Sequence, residues 1–334
     1  MPSLMDIPRE LRDKICAEVL LTPSTPPNLA EPFDLLIESR VRYQKPKLRA
    51  WSTEVLYDPQ NPTNTIFSLL LVNRQLYHET LSTMRHLSKA PVCEMDLIIV
   101  DEVVLLPTWL LVPPQQTTAF DTVNVTFRIA GAFNKEKDYP LKGFYWSFRG
   151  GDGGGPAMGW QLYAVLERFL SAGVGGETKN ADTGLHITAK RICIDVQTPA
   201  GIEEERFALP RTGHHRRRDV EKGVVNYYVL DPKYLANFVN GHLDGLLRPN
   251  CREWFQYGQI LFEHVDEVVV CKDGVEVAKW DVAECLEGRE INDRYFSAED
   301  MRKYKLKAWE LRKSRGLKVP ERYRMSRAEL ITPD

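Results

Sequence analysis

The spacing of the apolar residues changes from a helical to a strand period near residue 90, which restricts the chain to folds that combine helices with a sheet. Ile7, Leu11, Ile15 and Val19 lie four residues apart, as on one face of an α-helix. Residues 94–99 and 123–129 instead alternate largely between apolar and polar side chains, as in a half-buried strand. Because neither period extends over the entire chain, all-helical and all-strand architectures are excluded.

The same patterns predict further elements. Helices are predicted over residues 6–21, 64–87, 160–171, 231–247 and 297–316, and strands over residues 192–196 and 224–230. A hairpin is predicted over residues 267–279, because Asp273 and Gly274 are residue types that a positive-φ turn needs. Helices come first and are then interleaved with strands, which favours an α+β fold with a mixed, mainly antiparallel sheet and intervening helices.

The chain divides by pattern and charge into three regions. Residues 1–90 form a helical region with an extended insertion, residues 91–296 an α+β body, and residues 297–334 a basic C-terminal helix and tail. Between Met301 and Arg327 the net charge is +9, which leaves −11 for the remainder of a chain whose total is −2. A basic end on an acidic body is therefore the main charge asymmetry.

The basic end contains a candidate basic patch. Its members are Arg302, Lys303, Lys305, Lys307, Arg312, Lys313 and Arg315. Tyr304, Trp309 and Tyr323 lie among these cations, and aromatic rings between basic side chains can stack on nucleic-acid bases. The alternative, which we favour, is that the helix docks on the body through Met301, Tyr304, Ala308 and Leu311, and that the chain beyond Gly316 is looser.

No motif in the sequence indicates a catalytic centre, a cofactor or a metal site. The glycine-rich run at residues 150–155 lacks the Gly-Lys-Ser/Thr ending of a phosphate-binding loop, so an exposed loop is predicted there. His242 could form a metal pair with Asp244, but we favour a core or solvated histidine because no second pair supports the metal. An enzyme whose active site is assembled from distant residues stays possible.

The sequence predicts an intracellular protein, in the cytoplasm or the nucleus. No apolar stretch reaches the roughly 18 residues that span a bilayer, so no membrane association is expected. The N-terminus lacks the basic and apolar regions of a signal peptide, and the six cysteines contain no CxxC pair.

Two N-terminal segments resemble an F-box. Residues 4–15, LMDIPRELRDKI, are similar to the first F-box helix, which starts Leu-Pro-x-Glu and continues with apolar residues at helical spacing. Residues 69–80, LLLVNRQLYHET, resemble the later helix of the family, in which L-x-x-V-[CN]-R is common. The combination resembles fungal F-box-like proteins, although the segment at 73–77 departs from the second Glu-x-Arg motif of the related fungal domain.

The resemblance implies a non-catalytic protein-interaction module that could act as a substrate adaptor of a Skp–cullin–F-box ubiquitin ligase. A Skp-type adaptor and an unknown target protein would then be its partners. The candidate adaptor-binding face consists of Ile7, Pro8, Leu11, Ile15, Leu69, Val72 and Leu76. The same residues could instead form the core of the domain, with Ile7, Leu11 and Ile15 packed against the helix that contains Leu76.

Overall fold

A computed structural model of the chain describes residues 4–29, 37–42, 55–59, 69–87, 91–113, 117–131, 148, 155–174, 186–210, 229–249, 252–290 and 297–323. Within these ranges there are seven α-helices: α1 (Arg9–Leu21), α2 (Arg74–Leu87), α3 (Ala157–Ala172), α4 (Pro232–Leu247), α5 (Arg252–His264), α6 (Val282–Glu287) and α7 (Ala298–Ser314). The strands are β1 (Val41–Arg42), β2 (Leu56–Tyr57), β3 (Val92–Val100), β4 (Val104–Leu111), β5 (Ala119–Ala130), β6 (Thr188–Val196), β7 (Phe207–Ala208), β8 (Val229–Leu230), β9 (Val265–Lys272) and β10 (Val275–Asp281).

The fold is built on a mixed six-stranded sheet in the order β10-β9-β6-β5-β3-β4. Its four central strands pair in parallel, and only the two edges, β4 on β3 and β10 on β9, are antiparallel. The prediction of a mainly antiparallel sheet in an α+β fold is therefore wrong, and the fold is α/β. The physical reason is that α3 carries the chain from β5 back to the start of β6, and α4 with α5 does so from β6 to β9.

The two faces of the sheet are covered differently. On one face, side chains of the central strands pack against α3, α4 and α5 in the main core, which Met301, Ala308 and Trp309 of α7 also join. On the other face a smaller cluster around Ile98 and Leu106 is covered by Leu29, Ile37 and Leu56 from the N-terminal part of the chain. Nearly all residues of β3 from Met95 onward are buried, as expected for a strand that is covered on both faces.

The local end signals of the predicted elements are confirmed. Asp273 (φ 51°) and Gly274 (φ 77°) form the turn between β9 and β10. Asp231 caps α4 by accepting a hydrogen bond from the Lys233 N–H at 2.8 Å, and Ser297 with Asp300 forms a capping box at α7. Gly173, at a φ of 73°, ends α3. Residues 150–154 of the predicted glycine-rich loop, residues 211–228 and residues 64–68 of the helix predicted at 64–87 lie outside the described residues. That predicted helix is not continuous, because residues 71–72 form a turn and α2 begins at Arg74.

His242 is a core residue, as favoured from the sequence. Its side chain lies on the buried side of α4, stacked on Phe238 and edge-on to Trp254. A Cβ atom at position 159 would lie 2.6 Å from His242 Nδ1, so only glycine in α3 leaves room for the imidazole. Burial lowers the pKa of His242 to about 4, because the charged form loses its hydration. The ring is consequently neutral at physiological pH.

A small apolar cavity lies beside His242, between the sheet and helices α3 and α4. It has a volume of about 30 Å³ and is lined by strand residues such as Val123 and helix residues such as Phe169. This space accommodates roughly one additional methyl group and is too small for a cofactor.

Filling this cavity is expected to stabilise the protein. We predict that Val123→Ile, which adds one methylene group to a residue that is 2% exposed, raises the free energy of unfolding by about 0.8 kcal/mol. Urea denaturation measures the effect. The matched control is Val275→Ile on β10, where the side chain is 70% exposed and the added group stays in solvent. A loss of stability in Val123→Ile would show that the cavity cannot take the extra group without strain.

Candidate interaction surface

The two N-terminal helices form a parallel pair. Arg12 lies opposite Glu79, Cys16 opposite Thr80, and both Leu20 and Met84 belong to one small cluster, so residue numbers rise together along α1 and α2. Asn73, whose side chain accepts the Leu76 N–H at 2.9 Å at the start of α2, also donates to Met5 Sδ at 3.7 Å. The prediction that these two helices pack on each other is confirmed.

The face of α1 that packs on α2 differs from the predicted one. The buried residues of α1 are Arg12, Cys16 and Leu20. Leu11 is 48% exposed and Ile15 is 40% exposed, so the prediction that they pack against α2 is wrong. Ile7 is half-buried, and Pro8 is exposed and caps the start of α1 instead of lying in its first turn.

On the α2 side the predicted face is divided. Leu76 is buried at 2% exposure, Leu69 is half-buried and Val72 is 60% exposed. Leu71, next to Val72, is 83% exposed. Of the seven residues predicted for this face, Leu76 is therefore the one that the structure buries fully.

A buried ion pair between Arg12 and Glu79 lies in the contact between the two helices. Arg12 Nε donates to Glu79 Oε2 at 2.8 Å and Nη2 donates to Oε1 at 2.5 Å. The remaining nitrogen, Nη1, donates to the carbonyl oxygen of Ile7 at 2.5 Å, and Gln75 donates to Glu79 Oε1 at 3.0 Å. Hydrogen bonding to Arg12 lowers the pKa of Glu79 to about 2, so the carboxylate is ionised at neutral pH.

Three exposed apolar residues lie on one side of the helix pair. Successive helical residues are offset by about 100°, so Leu11 and Ile15 lie just before the contact stripe of α1 and Tyr77 just after that of α2. In a parallel pair, these positions face the same side. Ile15 and Tyr77 are each 40% exposed, and Leu71 and Val72 are exposed in the turn that precedes α2. We call Leu11, Ile15, Leu71, Val72 and Tyr77 the apolar strip.

The helix pair is largely independent of the sheet. Two of its buried apolar residues, Leu20 and Met84, form a cluster distinct from the two clusters on the sheet. The connection after α1 runs past the β4 edge, where the Ser24 N–H donates to the Leu110 carbonyl oxygen at 2.8 Å and Arg128 donates to that of Pro27 at 2.9 Å. The apolar strip is thus carried by a small unit beside the α/β body.

The candidate basic patch is not one continuous surface. Arg312 is completely buried, so its assignment to the patch is wrong. Lys305 and Arg315 are half-buried and donate to the carbonyl oxygens of Glu287 and Glu263, each at 2.8 Å. The other four, Arg302, Lys303, Lys307 and Lys313, are exposed. Arg302 and Lys303 pair with Glu299, at 2.8 and 3.6 Å.

The C-terminal helix docks on the body, as favoured from the sequence. Met301 and Ala308 are buried in the main core, Tyr304 packs against it, and the Tyr304 hydroxyl donates to Glu263 Oε1 at 3.2 Å. The prediction of a loose chain beyond Gly316 is wrong for residues 317–319, because Leu317 and Val319 are buried and Lys318 pairs with Asp281. Arg324 lies outside the described residues.

The described residues contain neither a metal-binding group nor a membrane-spanning helix. Among the described residues, no group of three histidine, cysteine, aspartate or glutamate side chains is placed to hold a metal ion. In the same part of the chain, no helix combines the length and apolar character needed to cross a bilayer. Comparisons of the chain with protein-family models, with curated proteins and with solved structures returned no match.

Proposed function

We propose that this protein is a non-catalytic interaction module whose N-terminal helix pair binds a Skp-type adaptor, so that the α/β body presents a target to a ubiquitin ligase. The observation that carries the proposal is the apolar strip. Soluble proteins bury apolar side chains where a packing partner exists, and contiguous exposed ones often mark an interaction site. Five such residues on a two-helix unit beside the body are suited to receive an amphipathic helix of a partner.

The resemblance of residues 4–15 and 69–80 to F-box helices supports the choice of partner. Both segments contribute to the apolar strip, Leu11 and Ile15 from the first and Leu71, Val72 and Tyr77 from the second. Because these side chains are exposed, they are available to bind an adaptor.

The proposal predicts that a double substitution in the strip abolishes adaptor binding without unfolding the protein. Leu11→Ser with Ile15→Ser should weaken binding to a co-expressed fungal Skp-type adaptor by at least about tenfold, which corresponds to about 1.4 kcal/mol. The melting temperature should stay close to that of the wild type, because both side chains are already 40% exposed or more. Size-exclusion chromatography and calorimetric titration measure the two outcomes.

The matched control is Val275→Ser with Val277→Ser. Both valines are exposed, at 70% and 41%, but lie on β10, at the far edge of the sheet. This control should bind the adaptor as the wild type does. The proposal fails if the wild-type protein does not bind the adaptor, or if the Leu11 and Ile15 variant binds equally well.

A further inference from the structure

Helix α1 carries two competing stripes, and the less apolar one is buried. The packed stripe contains a charged residue and a thiol, Arg12 and Cys16, together with Leu20. The neighbouring stripe, Ile7, Leu11, Ile15 and Val19, is entirely apolar, yet Leu11 and Ile15 are exposed. The two stripes are related by a rotation of about 100° around the helix axis. Hydrophobic burial alone would favour the second stripe against α2.

We propose that the Arg12–Glu79 ion pair sets the rotation of α1 on α2 and thereby keeps the apolar strip on the surface for a partner. The part of this inference that concerns the partner rests on the proposed function. The part that concerns rotation does not. Arg12 and Glu79 are positioning residues, because they touch neither the strip nor its proposed partner.

The geometry of the pair makes it directional. Two parallel hydrogen bonds join the guanidinium to both carboxylate oxygens, and Nη1 is held by the Ile7 carbonyl oxygen on α1's own N-terminal side. A rotation of α1 would break both bonds between the helices and separate two opposite charges of low exposure, 7% and 8% by side chain. Apolar contacts are non-directional and would favour the other stripe, so they do not account for the observed rotation.

Glu79 is itself held in place from α2. Gln75, one turn earlier, donates to Glu79 Oε1 at 3.0 Å, and Asn73 caps the helix start through its bond to the Leu76 N–H at 2.9 Å. The position of the Glu79 carboxylate is therefore fixed on α2, and α1 must place Arg12 opposite it. The apolar cluster of Leu20 and Met84, against which four leucines pack, is compatible with this register but contributes only non-directional contacts.

The test removes the charges together and reads the rotation from thiol labelling. In an Ile15→Cys background, position 15 should label quickly and the buried Cys16 slowly, with modification at each site quantified by mass spectrometry. In the same background, Arg12→Met with Glu79→Leu should reverse this preference, changing the ratio of the two rates by at least about tenfold. Unfolding would instead speed up labelling at both sites, so rotation and unfolding give different results.

A matched control and a second variant complete the test. Arg9→Met removes the exposed partner of Asp13 on the same helix, at 3.6 Å, and should leave the ratio unchanged. Arg12→Gln with Glu79→Gln keeps polar side chains without charge. It should also raise the labelling rate of Cys16 relative to that of position 15. An unchanged ratio in both folded variants would overturn the inference. Loss of the folded helix pair in both would also overturn it, because the pair would then be needed for folding, not for rotation.

Adaptor binding separates this inference from the proposed function. If the wild type binds and the Arg12→Met, Glu79→Leu protein binds at least about tenfold more weakly while remaining folded, both are supported. If the wild type does not bind the adaptor, the proposed function fails, and the labelling ratio alone still decides whether the ion pair sets the rotation. If the reversed helix binds as well as the wild type, the link between rotation and partner is refuted.

Discussion

Replacing Arg312 with alanine is expected to lower the free energy of unfolding by about 3–5 kcal/mol, the range for breaking a buried charged network from one side. The guanidinium is completely buried and all of its bonds go to the segments around β9 and the end of the chain. Its acceptors are the carbonyl oxygens of Phe262 (2.7 Å), Val265 (2.8 Å) and Lys318 (2.8 Å), and Asp266 Oδ1 (2.7 Å). Alanine would remove the Arg312 donors from these acceptors and leave a cavity, and Asp266 Oδ1 would keep only the Lys318 N–H, at 2.7 Å.

Urea denaturation compares this variant with a matched control on the same helix. Arg302→Ala removes an exposed arginine whose partner, Glu299, is also exposed, and should leave the stability close to that of the wild type. Arg312→Lys should recover only part of the loss, because one ammonium group cannot reach acceptors spread around a planar guanidinium. If Arg312→Ala were as stable as Arg302→Ala, the buried network would contribute nothing to the docking of α7.

The second large effect is a loss of stability in mild acid, caused by two buried histidines. Burial lowers the pKa of both His242 and His264 to about 4, from an ordinary value of 6.5. As pH falls from 6.5 to 4, the unfolded chain binds protons at these positions while the folded protein does not. The free energy of unfolding therefore decreases across this window, by about 3 kcal/mol for each histidine, and the loss is complete below pH 4.

Unfolding measured in urea from pH 7 to pH 4 detects this loss. His242→Leu should remove the contribution of one histidine from the pH dependence, whatever its effect on stability at pH 7. His78→Gln is the control, because His78 is exposed on α2 and its removal leaves both buried imidazoles in place. A pH dependence that is the same in His242→Leu and the wild type would contradict the neutral, buried state of His242.

Elements with local end signals could be predicted from the sequence, whereas pairing between distant segments could not. Asp231, Gly173 and the Ser297–Asp300 box end helices through bonds to residues close in sequence, so their types and spacing were sufficient. Parallel pairing of β6 with β9 depends on residues 197–264 in between, and no local residue type distinguishes it from antiparallel pairing. The helix α5 was not predicted, although Trp254, Phe255, Leu261 and Phe262 recur at helical spacing.

The sequence predicted which two segments form the helix pair, but not which faces of the two helices pack on each other. Helical spacing correctly identified the two segments that form the pair. It also predicted burial of Leu11 and Ile15, which is wrong. Helical spacing identifies an apolar face of a helix, but it does not show what packs against that face. The choice between stripes depends on Arg12 and Glu79, which are 67 residues apart and form a pair that no local pattern reveals. In the same way, the burial of Arg312 depends on carbonyl oxygens near the start of β9.

The strand order across the sheet has a consequence for synthesis on the ribosome. After the β3–β4 hairpin, the strands β5, β6, β9 and β10 emerge in the order in which they lie side by side, so each can add to an existing edge. No formed pair has to open to admit a later strand. While residues 197–264 are being translated, however, β6 is an unpaired edge that a neighbouring nascent chain could join. The β9–β10 hairpin, whose outer strand is short and bulged near Val277, ends this exposure and completes the sheet.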